Sequence, residues 1–221
     1  MIKLFMKSLK FIFLFTILII TACNRDTKKN SKKTVQKEIK RETTESRFPF
    51  LKETSKIASE YCFTKKLNTE YYFLIDLKRH SGLKRFYIWD FKKDTIINSF
   101  LVSHGCADNP WGSDLSKENA KTSNIDGSHA SSVGKYIIGK RGYSNWGIHV
   151  NYLLHGKDKT NFNALQRQIV LHSWEEVADE ETYPIGTPEG WGCPAVSNST
   201  MHTLDEILIK SNKNVLLWIV K

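Results

Sequence analysis

Apolar residues fall into three regimes along the chain. One uninterrupted block spans Phe11–Ile20, a sparse stretch follows until Phe48, and short apolar runs mixed with polar residues continue to the C-terminus. The runs Tyr71–Leu77, Arg85–Phe91 and Thr95–Ser103 are rich in Tyr, Phe, Ile and Val and predict three strands. Turn residues at 80–82 and 92–94 separate them, so a meander is expected. Gly134–Lys140, Trp146–Leu154, Gln168–His172 and Asn214–Val220 predict four more strands. Helical spacing occurs twice. It places Ile57, Tyr61 and Phe63 within Ser55–Leu67, and it gives Met201, Leu204, Ile207 and Leu208 one face within Ser197–Ile209, where Ser197 or Ser199 can cap the start. Residues 104–131 are dense in Gly, Asn, Asp, Pro and Ser and predict a long loop, of the kind that usually carries function. The expected fold is mostly β with a few short helices, an α+β domain without internal repeats.

With 221 residues, 40% of them hydrophobic, the chain supports one ordinary core. The net charge of +10 changes the picture only through its placement. Residues 24–57 hold eleven Lys/Arg against five Asp/Glu, while residues 58–221 hold 19 against 18. A nearly neutral domain lacks the basic face that grips nucleic acid.

Lys3, Lys7 and Lys10 precede the Phe11–Ile20 block, which is shorter than the roughly 20 residues a spanning helix needs. A basic start and a short apolar core form a secretory signal pattern. The block ends in Ile20-Thr21-Ala22-Cys23, which resembles a bacterial lipoprotein box. That resemblance implies a signal peptide over residues 1–23 and lipidation of Cys23. It implies an exported lipoprotein, membrane-anchored and facing the cell wall; Asn24 in place of Asp points to the outer membrane where a cell has one. A signal anchor with an incidental cysteine is the plain alternative. Residues 24–57 are rich in Lys, Glu, Thr and Ser, bury little and are expected to form a flexible basic tether. The domain then covers 58–221.

Candidate chemistry centres on Cys193 and His172. Glu189-Gly190-Trp191-Gly192-Cys193 places a thiol directly after two glycines, which allow a sharp turn and let the N–H groups of Gly192 and Cys193 converge on an oxyanion. A thiol needs a base, and His172, ending an apolar strand one loop upstream, is the best placed. From spacing alone, a structural cysteine in a glycine turn with an unrelated histidine fits equally well.

Arg167–His172 followed by Gly190–Val196 resembles the signature of the murein L,D-transpeptidase family, in its catalytic-domain-like branch. Val102–Gly105, Thr122–Asn124, Gly127-Ser128, Ser131–Tyr136 and Asn161–Ala164 resemble it in the same order, so the similarity runs from about Tyr72 to Trp218. It implies an L,D-transpeptidase-type β-sandwich or barrel, a Cys193 nucleophile, a His172 base, no cofactor and no metal. No Cys-x-x-Cys or His-Glu-x-x-His spacing suggests a metal either. The implied partner is a peptidoglycan stem peptide and the implied reaction is cell-wall acyl transfer through a thioester. L,D-carboxypeptidase trimming, a non-catalytic wall-binding lipoprotein and a cysteine endopeptidase are the alternatives.

Ser103-His104-Gly105-Cys106 also spells a nucleophile motif, but the only earlier histidine, His80, lies in a predicted turn, which favours Cys193. Cys106 is instead expected to pair with Cys62 or to be buried. The branch often carries Arg-Ser where this chain has Glu189-Gly190, which leaves substrate holding at that position open. Trp191, His104, Ser128, His129 and Arg167 are further candidates for substrate binding, each with a structural role as its plain alternative. The other tryptophans are read as core or cleft wall, and His149, His155 and His202 as structural.

Overall fold

The computed structural model describes residues 44–221. The expected signal peptide, the Cys23 lipidation site and residues 24–43 of the expected tether lie outside them. The element order is α1 (Thr44–Thr64), β1 (Tyr71–Asp76), β2 (Phe86–Asp90), β3 (Thr95–Phe100), β4 (Gly134–Tyr143), β5 (Val150–Gly156), β6 (Val170–Ser173), β7 (Ala195–Val196), α2 (Asn198–Lys210) and β8 (Leu216–Val220). One mostly antiparallel sheet contains all eight strands in the order β3-β2-β1-β8-β4-β5-β6-β7.

The expected meander is β1-β2-β3, antiparallel throughout, with Phe73 opposite Ile88 and Tyr87 opposite Ser99. β8 then inserts between β1, to which it is parallel, and β4, to which it is antiparallel. The chain's last strand therefore sits at the centre of the sheet, and it is buried on both faces. That explains its unbroken Leu216–Val220 apolar run, which shows no alternation.

Alternate residues of β1 feed two cores. Phe73 and Ile75 join Phe86, Ile88, Tyr136, Leu171, Met201 and Leu204 on the face covered by α2. Tyr72 and Leu74 join Tyr87, Trp89 and Leu216 on the face covered by α1. In α2, Ser197 is the cap, its Oγ accepting from the Thr200 N–H at 3.1 Å.

Helix α1 starts eleven residues before the expected Ser55, so residues 44–57 are helical where a tether was expected. The reason is a narrow seam. Leu51, Thr54, Ser55, Ala58 and Cys62 are buried at spacings of three and four, and most of them are small or polar, so they leave little trace in hydrophobic periodicity. Phe48 packs on Trp89 with ring centroids 5.5 Å apart, and Arg47 pairs with the buried Asp76. Cys62 and Cys106 are both free and buried, so of the two expectations for Cys106 the structure shows burial and not the pairing with Cys62. Cys62 belongs to the α1 core, whereas Cys106 lies in the long loop, its N–H bonded to the Gly190 carbonyl at 2.7 Å.

Candidate active site

Strand β7 is two residues long and had no sequence signal, yet it places Cys193. It runs parallel to β6, with Ala195 opposite His172 and Val196 opposite Ser173. Two residues before Ala195, the Cys193 Sγ therefore lies beside the start of β6 and accepts the Val170 N–H at 3.4 Å. His172 and Cys193 line the same cavity of about 380 Å³, together with Ser103, Trp111, Trp146, Trp174, Gly190, Trp191 and Ala195.

The His172 ring is held by its neighbour's backbone. Nδ1 lies 2.8 Å from the Ser173 carbonyl, which can only accept, so the neutral ring carries its proton on Nδ1 and leaves Nε2 as a base. Burial lowers the His172 pKa, against the opposing pull of that carbonyl and of Glu175. Burial likewise raises the Cys193 thiol, outweighing the Val170 N–H and the Arg167 charge. At neutral pH the pair thus rests as thiol and neutral imidazole.

The glycine turn is built around Gly192, whose φ is +104°. A Cβ there would lie 2.7 Å from the Ala130 carbonyl oxygen and 3.2 Å from Arg167 Nη2, so both space and backbone require glycine. The Gly192 carbonyl accepts from Ser131 Oγ at 3.1 Å, and Ser131 Oγ in turn accepts the Gly105 N–H at 3.0 Å. Neither the Gly192 nor the Cys193 N–H has an acceptor among the described residues, as an oxyanion site requires.

The remaining candidates divide. Trp191 lines the cavity, is 63% exposed and stacks on His129 with ring centroids 5.3 Å apart. Arg167 is a brace. Its guanidinium donates to Ser132 Oγ, to the Ser123 and Ala130 carbonyls and to Ser128 Oγ, at 2.6 to 3.4 Å. Ser128 thus contacts Arg167 and is absent from the cavity wall. His104 does not line the cleft. It is fully buried, with Nδ1 2.8 Å from Arg85 Nη2, and burial among cations pushes its pKa down to about 2. Glu189 is equally buried and accepts from Asn109, Ser113 and the Ser116 N–H, which ties the long loop to the nucleophile turn.

Nothing in the sequence marks Ser103 or Ser131 apart from the motifs that contain them. Trp111, Trp146 and Trp174 form one aromatic wall, with Trp111 stacked on Trp174 at 4.9 Å. Their scattered positions reveal no shared surface until the loops fold. Among the described residues, no group of three His, Cys, Asp or Glu side chains is placed to hold a metal ion.

The family model of the L,D-transpeptidase catalytic domain matches residues 42–218. No curated protein matches the chain. Among solved structures, Bd1075 of Bdellovibrio bacteriovorus is 14% identical with a TM-score of 0.41, covering 71% of this chain and 49% of that one. An L,D-transpeptidase from Xylanimonas cellulosilytica is 11% identical with a TM-score of 0.38, covering 68% and 60%. The helical cell shape determining protein Pgp2 from Campylobacter jejuni is 13% identical with a TM-score of 0.41, covering 68% and 47%. The chain spans about half to three fifths of the length of these structures.

Proposed function

Because the chain belongs to the L,D-transpeptidase catalytic-domain family, we propose that it is a cysteine L,D-transpeptidase acting on peptidoglycan stem peptides. One observation carries the reading: the Cys193 thiol and a His172 ring with its Nε2 free to accept a proton border one cavity.

In the proposed reaction Sγ attacks the carbonyl carbon at the L-centre of the stem's diamino acid, before the terminal D-alanine. The thiol proton passes to His172 Nε2 as the carbon–sulfur bond forms. The carbonyl oxygen takes the negative charge and meets the N–H groups of Gly192 and Cys193. The loss of one such donor typically costs about 3–4 kcal/mol. The carbon–nitrogen bond then breaks, and His172 returns its proton to the departing D-alanine amine. A thioester remains on Cys193. An amine from a second stem resolves it into a cross-link, whereas water trims the stem. The basic start, the short apolar block and Cys23 support an exported lipoprotein that carries this domain to the wall.

Mass spectrometry of the protein after incubation with a tetrapeptide stem or a carbapenem tests the reading. An adduct on Cys193, lost in Cys193→Ala and kept in Cys106→Ala, is expected. Adduct formation that survives Cys193→Ala and disappears in Cys106→Ala would overturn it. The product spectrum of isolated peptidoglycan fragments separates cross-linking, trimming and mere binding.

A further inference from the structure

Ser103 presents a buried hydroxyl with no partner to the nucleophile's cavity. Its exposure is 1%, and its Oγ has no hydrogen-bond partner. Five other residues among those described also bury a polar side-chain atom without a partner, but none of the five borders that cavity. The backbone of Ser103 is fixed, its N–H donating to the Ala195 carbonyl at 2.8 Å. Its neighbours Trp174 and Ala195 belong to an apolar cluster with Leu101 and Val177, and they offer the hydroxyl no side-chain partner. Gly190 opposite puts no side chain against it. A Cβ at position 190 would sit 3.8 Å from Ser103 Oγ and 3.9 Å from Trp174, in ordinary contact with both. A buried polar group without a partner is costly, and one that faces a binding cavity is satisfied when the ligand arrives.

The cavity also indicates what kind of group arrives. Four tryptophans and Ala195 make most of its wall, and no Lys or Arg lines it. A carboxylate entering there would lose its hydration with no counter-charge. An uncharged amide needs only one hydrogen bond, which Ser103 can donate or accept. The D-alanine side of the scissile bond carries a carboxylate. The cation nearest the turn is Arg167, whose Nη2 approaches Gly192 and lies outside this cavity's wall.

We propose that Ser103 is a substrate-binding residue, its Oγ hydrogen-bonding an uncharged peptide amide of the acyl-donor stem on the N-terminal side of the scissile bond. This rests on the acyl-transfer reading of Cys193. The tryptophan-lined cavity is then the acyl-side subsite, and the charged D-alanine departs on the side of Gly192 and Arg167.

Binding of a stem tetrapeptide to the full-length protein in detergent tests this, measured by calorimetry in a Cys193→Ala background so that no turnover is needed. Adding Ser103→Ala should weaken binding about tenfold, the worth of one hydrogen bond. Adding Gly190→Ala should weaken it similarly, since its methyl covers the hydroxyl without a clash. With Cys193 intact, Ser103→Ala should lower acylation kcat/KM by the same factor. Its melting temperature should equal or exceed that of the parent, because the hydroxyl has no intramolecular bond to lose; a structural serine would lower it. Unchanged peptide affinity in Ser103→Ala, or a lowered melting temperature with unchanged affinity, overturns the proposal. Binding that depends on Ser103 in a protein whose Cys193 never acylates overturns acyl transfer and leaves the subsite standing. No binding by the Cys193→Ala parent overturns both.

Discussion

The imidazole of His104 and the carboxylate of Glu189 face each other with no exposure to solvent, Nε2 lying 3.8 Å from Oε1. On the other side of the ring the Arg85 guanidinium can only donate to Nδ1, so the His104 proton sits on Nε2, towards Glu189. Arg85 also donates to the Val102 carbonyl, and Glu189 gathers Asn109, Ser113 and Ser116. Arg85, just before β2, His104 and Glu189 thus lie side by side in the interior, with no hydrogen bond made by His104 Nε2, and the long loop hangs from the Glu189 carboxylate.

Removing that carboxylate should be expensive. Glu189→Ala strands three donors and removes one of the two carboxylates, after Asp76, that offset the Arg85 charge, and it is expected to cost about 3–5 kcal/mol of stability by urea unfolding. Glu189→Gln keeps one acceptor oxygen and should cost about 1–3 kcal/mol. Both should also loosen residues 104–131, read as faster proteolysis of that loop. A variant as stable as the parent would remove Glu189 from this role.

The same network predicts an acid-sensitive fold. In the folded chain His104 is held neutral down to about pH 2, by burial first and then by the Arg85 and Lys221 charges; in the unfolded chain it titrates near the ordinary value of 6.5. The unfolded state therefore binds the extra proton between these values. Stability is full above about pH 6.5 and falls as pH drops through that window, by up to about 1.4 kcal/mol per pH unit. His80 and His172, also lowered by burial, add to the slope just below pH 6.5. Urea midpoints between pH 7.5 and 5.5, above most of the range where unfolded carboxylates titrate, should fall steadily. His104→Gln should remove about one proton from the slope; an unchanged slope would contradict the assignment.

Catalysis should show the neutral pair. Acylation needs His172 unprotonated, so kcat/KM should drop only below its lowered pKa, under about pH 6.5, and stay level from 7 to 9. The raised thiol makes the free enzyme a poor nucleophile at neutral pH. Iodoacetamide should therefore modify Cys193 slowly at pH 7 and faster as pH climbs past 9. Rapid alkylation persisting at pH 5 would instead reveal a standing thiolate–imidazolium pair.

Legibility in the sequence followed local signal strength. β1, β2 and β8 are continuous aromatic and branched runs, and the structure starts or ends them within two residues of expectation. Trp146–Leu154 reads as one strand, but Gly147 and His149 take positive φ in a turn, so β5 begins at Val150. Gln168, at φ +54°, likewise delays β6 to Val170. The Cys193 and His172 pairing was suggested by glycines and a resemblance. The two-residue strand that joins them, and the Ser103 hydroxyl facing them from a separate segment, depend on contacts across 23 to 92 residues of chain, which periodicity does not encode.

The positive φ of Gly192 gives a sharper prediction about geometry. Gly192→Ala forces a Cβ against the Ala130 carbonyl and should move the oxyanion donors, lowering acylation about 100-fold or more while Cys193 remains present. Arg167→Met removes the brace on the other side of the same contact. It should lower stability by about 1–3 kcal/mol and lower acylation without changing its pH profile. Equal activity in both variants would mean that the turn is held by other contacts.

Helix α1 makes the last prediction, since it separates the tether reading from the folded one. Leu51 has no exposure and packs in one core with Tyr72, Tyr87, Trp89 and Leu216. Leu51→Ala should cost about 2–5 kcal/mol, a loss no tether residue would cause. A chain beginning at Arg41 should unfold cooperatively with the stability of the whole. One beginning at Ala58, the boundary that hydrophobic patterning favours, leaves Trp89 without Phe48 and Asp76 without Arg47. It should melt well below the longer chain, or fail to fold. Equal melting temperatures for the two would return residues 44–57 to the tether and make the helix seam irrelevant to the sheet beneath it.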